Sequence, residues 1–458
     1  MKKVITFLIA FALPIILFAD WERNVLPNIN GNCVIEASNG DFVIAGYNSV
    51  VRTDNLGHLI WFRNYETIVS ARSIVEDSYG NFVFTGLIDT EPGDGNICAF
   101  KISFSGDSIW VQNYGHPESG DYGMSIIEAI DGGFIIGGSR GSFLYSPMAS
   151  ILHIDPSGDT LWTRDYGGHG VDYCYSVVRF GEEGYLMAGH TSSGPSPSYM
   201  YYVIRTGLRG DTLWTRTFNY SPGYTSWGRS IAYLEDERCA IVAGFCDSVG
   251  FHNYQIYLVK IDEWGDTVWT KTYGGSSDDY PLSICATTDG GCVVAGLTNS
   301  YGAGGSDMYV LRIDSDGDTL WTRTFGGPQN DLGNSIIQSS DGGFVITGSY
   351  GGLSISYLYL VKIDPTGIVE WKSEFPLDFS LSAHPNPFNS AVLISAPGNA
   401  KVEIFDIDGR KIGELPGGEQ VWKPEPSVGS GIYLVRATVG PSTGSGTETI
   451  TKRVVYLK

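Results

Sequence analysis

Four aspartates stand at one recurring place in this chain. Asp121, Asp172, Asp279 and Asp331 each precede a serine by four residues, and Ser226 takes the place in a further copy. Carboxylates at matched positions can do two kinds of chemistry. A ring of them offers hard oxygens to a cation such as Ca²⁺, which takes about six to eight oxygen ligands. Two of them at a suitable separation can act as general acid and base on a glycosidic bond. The same residues can serve as loop caps, each accepting N–H bonds from its own segment. An aromatic follows in four copies: Tyr122, Tyr173 and Tyr280, with Trp227 beside Ser226. Aromatics beside carboxylates suit sugar stacking, and they suit packing between repeated units equally well.

Other chemistry is sparse, and no catalytic residue is expected. The histidines (His58, His116, His153, His169, His190, His252, His384) form no H-x-x-x-H or H-E-x-x-H pair. There is no G-x-S-x-G elbow and no phosphate-binding loop. Asp314-Ser-Asp-Gly-Asp318 lacks the glycine position and distal glutamate of a calcium-binding EF-hand loop and reads as an ordinary turn. The cysteines are odd in number, without C-x-x-C, and scattered, so they read as small buried hydrophobes. Cys285 and Cys292, which flank one Asp-Gly-Gly turn, could face each other across a hairpin. No cofactor is expected; Ca²⁺ is the candidate ion.

The elements that must position these groups are repeated. Trp61, Trp110, Trp162, Trp214, Trp269, Trp321 and Trp371 recur every 49 to 55 residues, each after a four-residue turn ending in Gly, of the Asp-x-x-Gly type in five copies. A period of about 50 residues means one supersecondary unit copied and stacked. In the last copy, Ser335–Ser340 reads as a strand, Asp341-Gly-Gly as a tight turn, Phe344–Ser349 and Tyr357–Asp364 as two further strands, and a fourth carries Trp371. The unit is a four-stranded antiparallel meander, A to D, with both faces of its strands largely apolar. Seven such units over residues 20–375 predict an all-β, seven-bladed β-propeller. Trp21 looks like a stray D strand; either it or the Trp371 strand closes the ring. The A–B and C–D turns are short. The B–C loops (87–96, 139–147, 190–199, 246–254, 298–307) are long and dissimilar, so the rim they share with the D–A connections, where the aspartates lie, is the expected binding face.

Tyr357-Leu-Tyr-Leu-Val-Lys-Ile-Asp-Pro-Thr-Gly running into Trp371 resembles the C and D strands of quinoprotein-type propeller repeats, over roughly residues 31 to 375. The resemblance implies the fold and not the quinone chemistry, since no adjacent Cys-Cys pair is present and seven units differ from the eight blades typical of those dehydrogenases. A weaker likeness to bulb-type mannose lectins in Asp-Gly-Gly-Phe-Val-x-x-Gly lacks that family's sugar motif.

The two ends speak of destination. Lys2 and Lys3 before the apolar stretch Val4–Phe18 read as a secretory signal over residues 1–19, leaving no membrane span after cleavage. Residues 376–458 read as a small immunoglobulin-like β-sandwich, with strands around 391–395, 400–406, 431–439 and 447–457. Its segments Leu381-Ser-Ala-His-Pro385-Asn386-Pro387-Phe388-Asn, Val402-Glu-Ile-Phe-Asp-Ile-Asp-Gly409-Arg410, Ser430-Gly431-Ile-Tyr433-Leu-Val-Arg and Thr451-Lys452-Arg-Val-Val-Tyr-Leu-Lys resemble, in order, the C-terminal sorting domain of type IX secretion substrates. The resemblance implies passage through the periplasm, an outer-membrane type IX translocon and a sortase as partners, and an extracellular or surface-attached product. Acidic residues outnumber basic ones 50 to 29, a net charge of −21, which disfavours nucleic acid as a partner. The reading that follows is a secreted or cell-surface binding or adhesion protein, not an enzyme, with a glycan or surface protein as ligand. The competing reading is a carbohydrate-active hydrolase or lyase on the same scaffold.

Overall fold

The computed structural model describes residues 21–27, 30–65, 70–89, 95–115, 120–141, 146–194, 198–221, 224–247, 253–351, 357–367, 382–384, 388–407, 410–425, 427–439 and 448–457. The chain divides into two compact units, Met1–Lys372 and Ser373–Lys458. Among the described residues there is no helix, and none long and apolar enough to cross a membrane. The signal segment 1–19 lies outside them.

Among its described residues, the first unit forms seven four-stranded antiparallel sheets. In the third, strands A to D are Tyr122–Glu128, Phe134–Arg140, Met148–Ile154 and Thr160–Tyr166, paired in that order. The B and C strands are buried on both faces, as in Tyr185–Thr191 of the fourth sheet, because each is covered by the sheets before and after. That is why they are apolar on both sides rather than alternating. The D strands, such as Thr212–Phe218, are the most exposed and form the outer wall.

The A strands meet at the hub. The backbone N–H of Ile126 donates to Ser73 Oγ of the preceding sheet at 3.1 Å, and the same bond joins Val177 to Ser125, Ile231 to Ser176, Ile284 to Ser230 and Ile336 to Ser283. It recurs between the last sheet and the first, where Val34 N–H donates to Ser335 Oγ at 3.3 Å. At the remaining junction Cys33 holds the serine's place and accepts from Ile74 N–H. Val34, Phe42 and Ile44 of the first sheet share a core with Val345, Leu358 and Leu360 of the seventh. Sheets packed serially, with the last upon the first, form a β-propeller arrangement.

Closure is made by the N-terminal strand. Trp21–Pro27 pairs with Tyr357–Ile363, with Trp21 opposite Lys362 as Trp321 is opposite Arg312 in the sixth sheet. The seventh sheet therefore takes its fourth strand from the start of the chain; the Trp371 segment lies outside the described residues. A strand from each end in one sheet ties the termini of the unit together.

The tryptophan period has a packing cause. Each indole reaches the C–D turn of the next sheet: Trp110 Nε1–H donates to Pro156 O, Trp214 to Glu263 O, Trp269 to Ser315 O and Trp321 to Pro365 O, at 3.1–3.3 Å. The turn glycine lies flat on the ring. At Gly210 (φ +77°) an added Cβ would stand 2.7 Å from Trp162. Glycine is needed there for its backbone as well as its size. Tyr65, Tyr114, Tyr166 and Tyr273, four residues after their tryptophans, donate to the carbonyl of the same turn glycine at 2.7–2.8 Å. Two residues after the tryptophan, the Arg63, Arg164, Arg216 and Arg323 guanidinium groups lie 5.4–5.8 Å from that tryptophan's ring. Each bonds the backbone carbonyl of the residue before it at 2.7–3.1 Å.

Directly across the ladder from the tryptophan position, a base on the C strand pairs with an acid of the A–B turn. The pairs are Arg52–Asp41, Lys101–Asp77, His153–Asp131, Arg205–Glu183, Lys260–Glu237, Arg312–Asp289 and Lys362–Asp341. The acid of the Asp-Gly-Gly turn thus anchors the turn that the glycines shape. None of the cysteines is bridged; Cys285 and Cys292 are off register across their hairpin, opposite Val293 and Ala286.

In the second unit, the described strands are Ser382–His384, Val392–Asp406, Lys411–Trp422, Gly431–Val439 and Glu448–Tyr456, joined in one hydrogen-bonded sheet. The two strands expected at 391–395 and 400–406 are one continuous strand with a register break between Ala396 and Lys401. Its partner Lys411–Trp422 was not among the expected strands; it carries Pro416, Gly417 and Gly418, which sit opposite the break, where a bulge tolerates them. Val392 and Ile394 before the break and Val402 and Ile404 beyond it share one core with Phe388, Trp422, Tyr433, Val454 and Tyr456.

Candidate functional site

All four recurring aspartates are buried, with exposures of 0–1%. Their oxygens are held by the loops around them. Asp172 accepts from Gly168 N–H at 2.9 Å, from Ser193 Oγ at 2.7 Å and from Thr191 Oγ1. Asp279 accepts from Gly275 N–H and Ser300 Oγ, both at 2.8 Å, and from Thr298 Oγ1. Asp331 accepts from Gly327 N–H at 2.7 Å and Gly351 N–H at 2.8 Å, and Asp121 from Gly141 N–H at 2.9 Å. Each carboxylate therefore joins a D–A connection to the end of its own B strand. In the fifth sheet the Ser226 hydroxyl bonds instead within its own D–A connection, accepting from Tyr220 N–H and donating to Asn219 Oδ1. Among the described residues, no three His, Cys, Asp or Glu side chains are grouped to hold a metal ion.

The expected aromatics are brought together, through residues the sequence did not single out with them. Tyr173 lies 5.1 Å from His190 between ring centres; His190 stacks on Trp227 at 4.8 Å and 20°. Trp227 meets Phe245 at 5.5 Å, and Phe245 meets Tyr280 at 4.9 Å. Tyr122 stands near enough to raise the hydroxyl of Tyr173, after burial, the larger cause. Tyr175 and Tyr199 complete the wall around His190. The linking residues lie directly opposite the expected ones in the ladder, His190 across from Tyr173 and Phe245 across from Trp227. Strand register would have found them. His190 is 2% exposed, and burial, with Arg229 nearby, lowers its pKa to about 3. His190 Nδ1, Trp227 Nε1 and Arg229 Nε are all buried without a hydrogen-bond partner.

A second feature lies on the sixth and seventh sheets. Asp307, at the start of a C strand, and Asp331 both crowd Gly326, where an added Cβ would stand 2.7 Å from Asp307 Oδ1 and 2.3 Å from Asp331 Oδ2. Burial pushes both carboxyls above the usual carboxylate range, and the charge of Asp307 adds to the rise at Asp331. Asp307 lines a cavity of about 460 Å³ with Gly302, Ala303, Thr324 and Phe325. Another, of about 480 Å³, lies among Tyr273, Tyr301, Tyr309 and Arg323. Asp307 was not among the expected residues, since its place in other sheets is filled by Asn96 and Gln255 and nothing recurs there to be noticed.

At the hub every A strand carries a β-bulge at the same point, between Gly31 and Cys33 in the first sheet and between Cys174 and Ser176 in the fourth. The residue left out of the ladder is Asn32, Arg72, Met124, Tyr175, Arg229, Leu282 or Asn334 in turn.

Of the sorting-type residues, Phe388 and Tyr433 are buried in the core of the second unit, and Tyr433 Oη–H donates to Gly429 O at 2.7 Å. Arg410 is exposed, its N–H bonded to Asp406 Oδ1 at 2.8 Å; Gly431 opens a strand and Lys452 lies within one. Pro385, Asn386, Pro387 and Gly409 lie outside the described residues, as do His116 and His252.

Sheet order and hub contacts place the first unit among the β-propeller repeat proteins. No known family model matches the chain. A segment of 126 residues is 29% identical to regulatory protein FlaEY of Caulobacter vibrioides, covering 24% of this chain and 13% of that protein. The chain is thus similar to a small part of a longer relative. Among solved structures, it is similar to the WD40 β-propeller domain of Doa1 (TM-score 0.47, 13% identity, 75% of this chain and 97% of that one). A protein of unknown function from Bacteroides caccae is also similar (TM-score 0.41, 13% identity, 68% and 98%). So is PorZ, a surface component of the type IX secretion system of Porphyromonas gingivalis (TM-score 0.30, 12% identity, 91% and 69%). The propeller assignment rests on this chain's own strand pairing.

Proposed function

We propose that this chain is a secreted or surface-held binding protein: a closed seven-bladed propeller that presents a loop-rich rim to a ligand, followed by an immunoglobulin-like sorting domain for type IX export. The observation that supports a binding role is the aromatic wall from Tyr173 through His190 and Trp227 to Tyr280. It stands beside aspartates whose oxygens are taken up in holding the rim loops. Rigid aromatics on a preformed scaffold suit recognition of a glycan or of a surface protein. The export reading is supported by the four ordered sequence blocks, two of whose aromatics, Phe388 and Tyr433, help build the core of the second unit.

Two experiments test these halves separately. Deleting residues 376–458 should strand the propeller in the periplasm; normal amounts in the medium would refute the sorting role. A glycan array with the full secreted protein should give hits that fall when Trp227 becomes Ala; hits unchanged by that substitution would remove the rim from the reading. The enzymatic alternative is favoured by one observation, the Asp307–Asp331 pair beside a cavity, since two carboxyls with shifted pKa values suit acid–base chemistry. Turnover of a polysaccharide, abolished by Asp307→Asn with no fall in melting temperature, would establish it.

A further inference from the structure

The seven bulge residues at the hub carry an unexpected charge. In a chain of net charge −21 they include two arginines, Arg72 and Arg229, and no carboxylate. Neither arginine has a hydrogen bond or ion pair among the described residues, and Arg229 Nε is buried without a partner. The guanidinium of Arg229 stands 5.1 Å over the ring of Tyr175, the bulge residue of the fourth sheet. Arg72, from the second sheet, also acts on the Tyr175 hydroxyl, which burial raises to about 12 against the pull of both arginines. The second and fourth sheets are separated by the third, so groups from both can approach one another only near the axis. Around the same point Trp227 Nε1 and His190 Nδ1 also lack partners.

Buried donors without partners ask for an acceptor, and an unpaired guanidinium asks for an oxyanion. We propose that the hub binds a carboxylated sugar of the uronate class, its carboxylate on Arg72 and Arg229 and its apolar ring face against Tyr175 and Trp227. Guanidinium groups match the planar carboxylate. This rests on the glycan form of the binding reading above and adds the ligand's charge and its place.

The test is titration calorimetry on the full secreted protein, with a galacturonate oligosaccharide, its neutral galactose counterpart, and sodium acetate as a bare carboxylate. The uronate should bind, more weakly as salt rises, and Arg229→Gln and Arg72→Gln should each weaken it by roughly tenfold or more. A neutral oligosaccharide that binds as tightly, unaffected by Arg229→Gln, overturns the hub assignment and leaves the glycan reading standing. Acetate binding as tightly as the uronate overturns the sugar and leaves a bare anion site. Absence of binding by all three, in a protein whose melting temperature and secretion are normal, overturns the proposal, while the array decides the glycan reading independently.

Discussion

His190 should govern how this protein responds to acid. Its ring is enclosed by Tyr173, Tyr175, Tyr199 and Trp227, with Arg229 the nearby charge, and its pKa falls from an ordinary 6.5 to about 3. Below pH 6.5 the unfolded chain protonates this histidine while the folded chain keeps it neutral. The unfolded state then binds more protons, so stability falls as pH falls. The contribution is complete above the unfolded value and is lost progressively on the way down towards the folded one. At about 1.4 kcal/mol per pH unit, the loss between pH 6.5 and pH 4 comes to about 3 kcal/mol, a large part of a typical domain's stability. His190→Phe keeps a flat ring against Trp227 and removes both the titration and the unpaired nitrogen. Urea unfolding at a series of pH values should show the variant's acid slope shallower by about one proton between pH 6 and pH 4, with little change at pH 7. A second variant, His190→Gln, controls for packing. If both retain the slope of the parent, the histidine titrates normally and the argument from burial is refuted.

Two other outcomes follow from the packing and the carboxylates. Gly210→Ala, forced into positive φ and against Trp162, should cost about 2–4 kcal/mol in urea unfolding. Gly40→Ala, with a similar φ but nothing within 4 Å of an added Cβ, should cost about 1 kcal/mol; equal losses would refute the indole staple. Burial raises the Asp307 carboxyl, so its contribution is favourable in acid and is lost as pH rises through the folded value. Asp307→Asn should therefore be more stable than the parent at pH 7, with the gain shrinking towards pH 4; a gain independent of pH would contradict the shift.

The repeated parts of the molecule were legible in the sequence, and the parts fixed by non-repeating contacts were not. Trp110 and its counterparts recur because each one seats the turn of the next sheet, so the period was a direct image of the packing. The Asp-x-x-Gly and Asp-Gly-Gly turns followed from backbone chemistry. Trp21 could be recognised as a stray D strand, but its pairing with Tyr357–Ile363 spans nearly the whole unit, and no local pattern chooses it over Trp371. The bulge residues escaped notice because they belong to no ladder: Arg72, Tyr175 and Arg229 hold one position with no shared type. His190 was visible as a rim histidine without a partner; its partners come from two sheets and needed the register to be seen. The strand Lys411–Trp422 was hidden by Pro416 and the glycines beside it.

The arginines of the outer strands bear on how such a molecule stays apart from its copies. A sheet that ends in a free strand offers a row of unsatisfied backbone groups, and a ring of sheets multiplies that hazard around its circumference. Arg63, Arg164, Arg216 and Arg323 each turn a guanidinium onto the carbonyl beside them, and in the fifth sheet Lys271 at the same place pairs with Asp318. A neighbouring strand seeking to pair there would meet a positive charge and an acceptor already engaged. The basic side chain two residues after the tryptophan in five of these sheets thus guards the margin against edge-to-edge aggregation.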